Sequence, residues 1–163
     1  MLTRRRLLLS VGGFVGLAGC SITQQTGGRG AVCAASFSGF GGQSGNTVFS
    51  ITPQVTSFGA GDEPLVELIL PVRRATIESE GVDRLVVSSG GDVLYRIPVT
   101  RDDETVGPTN RYEYDDVVEY SQSLGHLPQN GIYEVAALDS GGQDLDRIGI
   151  EFRCYRQPNE ERS

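Results

Sequence analysis

Residues 131–154 read Gly131-Ile132-Tyr133-Glu134-Val135-Ala136-Ala137-Leu138-Asp139-Ser140-Gly141-Gly142-Gln143-Asp144-Leu145-Asp146-Arg147-Ile148-Gly149-Ile150-Glu151-Phe152-Arg153-Cys154. Two runs of β-forming residues flank Asp-Ser-Gly-Gly-Gln-Asp, a composition that predicts a hairpin turn. In the second run Ile148, Ile150, Phe152 and Cys154 alternate with Gly149, Glu151 and Arg153. A period of two with charge on the opposite side puts one face in a core and the other in water. The Cys154 thiol is therefore expected on the core side, where a cysteine from an early strand could reach it.

The same pattern extends upstream. Residues 48–51, 65–72, 85–87 and 93–99 are strand candidates, and no segment holds a 3.6-residue period. Ser88-Ser89-Gly90-Gly91-Asp92 predicts a second hairpin turn. Pro98 cannot donate to a ladder, so its strand should run near an edge or end there.

Just before the last hairpin stands Leu127-Pro128-Gln129-Asn130-Gly131-Ile132-Tyr133. It resembles the tyrosine corner of immunoglobulin-like and fibronectin-like sandwiches, in which a tyrosine opening the penultimate strand bonds back to the upstream backbone. Tyr133 matches that tyrosine, Leu127 the apolar residue before it and Gly131 the turn. The resemblance covers about thirty residues, from 124 to 154, and implies an all-β antiparallel sandwich over residues 31–156. The chain has no tryptophan, so the buried tryptophan of antibody domains is missing and a generic sandwich fits better.

The N-terminus carries a different message. Arg4-Arg5-Arg6 precedes an apolar run over residues 7–18. As a helix that run would reach about 18 Å at roughly 1.5 Å per residue, too short to span a bilayer. A charged start, an apolar run and small residues define a secretory signal. Arg4 and Arg5 with Leu7 and Leu8 resemble the twin-arginine export motif. Leu17-Ala18-Gly19-Cys20 resembles a lipobox, which implies a glycerolipid on the Cys20 thiol and cleavage before it. Residues 1–19 are thus expected as signal peptide. Two acyl chains hold a protein stably, at about 0.8 kcal/mol per buried CH₂. The implied location is the outer face of the cytoplasmic membrane, on the extracellular side. Residues 20–30, polar and glycine-rich, read as a flexible tether spanning about 17 Å. Residues 38–47 read as a loop or an extension of it, and residues 157–163 as a disordered tail.

With Cys20 taken by lipid, Cys33 and Cys154 remain as a pair outside the cell, where disulfides persist. The alternative is two free buried thiols. All 14 basic residues are arginine, and residues 20–163 hold 21 acidic and 11 basic side chains, a net of −10. Acidic, lysine-free chains resemble the proteins of salt-loving archaea, where screening within about 3 Å at 1 M salt silences the repulsion. A GC-rich bacterial genome is the other source of such a bias. An acidic domain does not suit nucleic acid, whose phosphates need a basic patch.

Catalytic and cofactor signals are sparse. His126 is the single histidine, read as a solvated loop residue, and no Gly-x-Ser-x-Gly elbow accompanies it. A blue-copper site needs two histidines, a cysteine and usually a methionine, and the count rules it out. Clustered Cys and His for zinc are missing, as are phosphate and dinucleotide loops. No cofactor and no metal are expected. Asp102-Asp103-Glu104, Asp115-Asp116 with Glu119, and Asp139, Asp144 and Asp146 read as solvated acids; the sharper reading is a cation site or an acid–base pair. Tyr112, Tyr114 and Tyr120 form the candidate binding face, since tyrosines offer contact area with a polar tip. The plainer reading is a half-buried strand. The function expected is a membrane-anchored, non-catalytic binding or assembly module with a protein or cell-surface partner. A small hydrolase using a carboxylate pair and a structural spacer are the alternatives.

Overall fold

The computed structural model describes residues 22–28, 31–39, 48–59, 63–106 and 111–157. Cys20, Arg4 and Arg5 lie outside these residues, as do most of the glycine-rich stretch 38–47 and all of the tail but Gln157. The strands are β1 (Ile22–Gly28), β2 (Ala31–Ser38), β3 (Gln54–Phe58), β4 (Leu65–Arg73), β5 (Arg84–Ser89), β6 (Asp92–Pro98), β7 (Val117–His126), β8 (Gln129–Leu138) and β9 (Asp144–Arg156). One helix, α1 (Arg74–Glu80), joins β4 to β5. The described residues are mostly antiparallel β-strand, in two sheets ordered β1-β2-β9-β8-β5-β6 and β3-β4-β7.

The last hairpin behaves as its alternation requires. Ile148, Ile150, Phe152 and Cys154 are buried, and the side chains between them face out. Leu85 and Val87 of β5, with Val135 and Ala137 of β8, continue the same inner face. Val66, Leu68, Leu70 and Val72 of β4 oppose them from the other sheet. Burial of this apolar layer, at about 25 cal/mol per Å², is the main force closing the sandwich.

The turns follow their chemistry. Gly90 and Gly91 have φ of 59° and 89° between Ser89 and Asp92, as a primed two-residue hairpin demands. β6 is an edge strand and Pro98 is its last residue. Pro71 stands in the central strand of the smaller sheet, but β3 pairs only as far as Ile69. Its missing N–H therefore interrupts no ladder on that side.

Several expectations change. The segment read as a tether contributes β1, paired to β2 from Ile22↔Phe37 to Gly28↔Ala31. An edge strand can be held by backbone pairing alone, so polar composition did not prevent it. Residues 48–51 form no strand. Val48 and Phe49 are instead fully buried, and the Phe49 N–H donates to Asp146 Oδ2 at 3.1 Å, a carboxylate replacing a ladder partner. Helix α1 had no periodic signal, since Ile77 is its single buried residue; Gly81, at φ 70°, ends it.

Cys33 and Cys154 form a disulfide, with Cα atoms 4.1 Å apart. They lie directly opposite each other on β2 and β9. The bond links neighbouring strands of one sheet and ties the β1–β2 hairpin to the last strand.

Tyr133 does not act as a corner. Its ring meets Phe152 edge-on, centroids 5.2 Å apart, and among the described residues its hydroxyl makes no bond to the upstream backbone. Gly131 lies within β8 and leaves room for that ring: a Cβ there would stand 2.8 Å from Tyr133 Cε1. Burial, then the neighbouring Tyr95, raises the Tyr133 pKa. The corner itself is the two-residue link Leu127-Pro128, joined by a cis peptide, which carries the chain from β7 in one sheet to β8 in the other.

Candidate functional site

The three tyrosines separate. The strand expected through residues 111–120 begins only at Val117, so Tyr112 and Tyr114 precede the ladder. Tyr120 is in register with the inward positions of β7 and is buried. Its hydroxyl donates to Asp103 Oδ2 at 2.8 Å. Tyr120 therefore belongs to the core and drops out of any exposed face.

Tyr112 and Tyr114 come together. With Ser50, Ile51, Arg111 and Glu113 they line a groove of about 220 Å³. Tyr114 is 43% exposed, and the Arg73 guanidinium stacks on its ring, 4.0 Å from the centroid. Such stacking holds the ring in place, and the side chain remains partly exposed. Arg73 is itself held by Asp116 at 2.9 Å. The Tyr112 hydroxyl donates to Glu119, which also pairs Arg111 at 3.5 Å. Glu119 sits between the buried Val118 and Tyr120, so it points away from the core on the outer side of the β3-β4-β7 sheet. The groove is thus a preorganised aromatic surface on the smaller sheet's side. Burial and the bond to Glu119 raise the Tyr112 pKa, partly offset by Arg111, and keep the hydroxyl protonated.

Of the candidate carboxylates Asp102, Glu104 and Asp115 are exposed, while the others make structural contacts. Asp103 accepts from the Thr100 N–H and the Thr100 hydroxyl, both at 2.7 Å, besides Tyr120. Burial pushes its pKa up, but these bonds and the Arg74 charge more than offset it, leaving it below the usual range. For Asp116 burial likewise raises and the Arg73 bond, the Ala75 N–H and the Arg73 charge lower, with the same outcome. Asp139 accepts from the Gly141 and Gln143 N–H groups at 2.9 Å and builds the last hairpin turn. Asp144 pairs Arg147, and Asp146 binds Phe49 and Arg147 N–H groups. Among the described residues no three His, Cys, Asp or Glu side chains converge as a metal site. His126 is the last residue of β7 instead of a loop residue, with Nδ1 3.2 Å from the Glu63 carbonyl oxygen.

Among the described residues no helix is long and apolar enough to cross a membrane. No protein-family model and no curated sequence matches the chain.

Proposed function

We propose that this chain is a lipid-anchored, extracytoplasmic binding or assembly module that engages its partner through Tyr112 and Tyr114. The observation that carries the reading is the groove: two tyrosines side by side, one exposed and stacked on Arg73. Rigid aromatic anchors supply contact area at little entropic cost. Asp103 and Asp116 do not suit the general-acid half of a carboxylate pair. A glycosidase-type general acid must have a raised pKa, whereas Asp103 and Asp116 lie below the usual range. Anchoring rests on the lipobox-like Leu17-Ala18-Gly19-Cys20 and export on Arg4 and Arg5.

The same proposal assigns the fold to the immunoglobulin-like or fibronectin-like class. The strand order supports it. β3-β4-β7 corresponds to strands A-B-E, and β6-β5-β8-β9 to C′-C-F-G, with the β1–β2 hairpin added beside the last strand. The disulfide departs from the antibody pattern, since it does not bridge the two sheets.

Cross-linking in intact cells followed by co-purification tests the function. The native chain should recover one recurrent partner. Tyr112→Ser with Tyr114→Ser should lose it while the melting temperature stays within a few degrees. A partner retained by the variant, or hydrolytic activity of the pure protein with no partner, would overturn the reading.

A further inference from the structure

Among the described residues the outer face of the six-stranded sheet carries several exposed apolar side chains. Alternation puts Ile132, Glu134 and Ala136 of β8 on this face, beside Glu151, Arg153 and Tyr155 of β9. Ile132 is 71% exposed, the most of any large apolar side chain described. Val93 and Leu94 of β6 and Tyr155 add further exposed apolar area on this sheet. Four of the six exposed large apolar residues therefore belong to it.

Its charge is less negative than that of the domain. Arg84, Arg96, Arg147 and Arg153 point outward on β5, β6 and β9, against Glu134 and Glu151. That leaves +2 on the face, reduced to zero when Asp83 and Asp144, which pair Arg84 and Arg147 at the rim, are included. Residues 20–163 as a whole carry −10. Among the described residues Arg96 and Arg153 take no ion-pair partner.

The same sheet begins at the anchor. β1 is its edge strand, and a single residue separates Cys20 from Ile22. A ten-residue tether would span about 17 Å, but two Cα–Cα steps span at most about 7 Å. A lipid on Cys20 thus brings this sheet to the bilayer without slack.

We propose that the outer face of the β1-β2-β9-β8-β5-β6 sheet lies against an anionic lipid bilayer. Ile132, Leu94 and Tyr155 meet the headgroup region, and Arg96 and Arg153 pair with lipid phosphates. The Tyr112–Tyr114 groove, on the side of the other sheet, is then presented away from the membrane. This rests on the Cys20 anchor proposed above, and mass spectrometry of Cys20 decides that point separately.

The chain has no tryptophan, so Ile132→Trp and Ser121→Trp each supply a single reporter, one per face. Full-length mature protein bearing lipid on Cys20, cellular or chemically coupled, is placed in phosphatidylglycerol vesicles containing a headgroup nitroxide lipid. Tryptophan at 132 should be quenched at least threefold more than at 121. Arg96→Glu with Arg153→Glu should cut that ratio at least twofold; if this variant does not fold, phosphatidylcholine vesicles provide the same comparison. Equal quenching at the two positions would overturn the proposal. So would shielding of position 132 that depends on protein concentration, the mark of a second copy on this face.

Discussion

Replacing Cys33 and Cys154 by alanine should destabilise the domain by several kcal/mol, and in a specific place. The cysteines are 121 residues apart in sequence. Closing so long a loop removes about 5 kcal/mol of unfolded-state entropy in the chain-entropy model, and native disulfides in small domains contribute about 2–5 kcal/mol. Total stabilities run about 5–15 kcal/mol, so the loss is large. At this size it corresponds to a fall of roughly 10–20 °C in melting temperature. Both side chains are buried in the core, so alanine also leaves a small void. The damage should start at the β1–β2 hairpin, whose attachment to the larger sheet is the β2–β9 ladder alone. Urea unfolding with and without reductant gives the magnitude, and hydrogen exchange gives the place. Amides of β2 should lose protection before those of β5 and β8. Coincident urea midpoints for the native and alanine proteins would refute the argument. So would two reactive thiols after denaturation without reductant.

Other outcomes follow from single contacts. Gly131→Ala should cost about 1–3 kcal/mol by overpacking, because its Cβ would press on Tyr133 Cε1 and on Phe152 Cε1; thermal melts measure it. Tyr120→Phe should cost about 1.5–3 kcal/mol, the range for a hydrogen bond to a charged group, since it leaves Asp103 short of one donor; an unchanged melting temperature would show that bond to be idle. Asp103 and Asp116 have folded pKa values below their unfolded ones. Their contribution is therefore present above the ordinary carboxylate range and is lost as pH falls through the depressed values. Asp103→Asn should make the urea midpoint less steep in pH below about 4.

Much of the sandwich is legible because period-two patterning needs no partner to be read. The last hairpin, the Gly90-Gly91 turn, the edge position of Pro98 and the inward Cys154 all come from local composition. What is not legible depends on distant partners. Asp116 is a plain surface acid until Arg73, 43 positions earlier, lies beside it. Tyr120 looks like Tyr112 and Tyr114 in the sequence, and only the start of β7 at Val117 turns it inward. β1 looks like a linker because backbone pairing places few demands on side chains. Val48 and Phe49 look like a strand because burial and β-pairing favour the same residue types. The arginine-bearing sheet face becomes visible only when β5, β6, β8 and β9 are set side by side.

The most direct test of the central claim, a module anchored by one sheet and binding from the side of the other, is photo-cross-linking in intact cells. A photoreactive residue is placed at position 114 in one protein and at position 132 in another. The account predicts one recurrent macromolecular adduct from position 114 and lipid adducts from position 132. Lipid adducts at 114, or the same macromolecule captured from both positions, would contradict it.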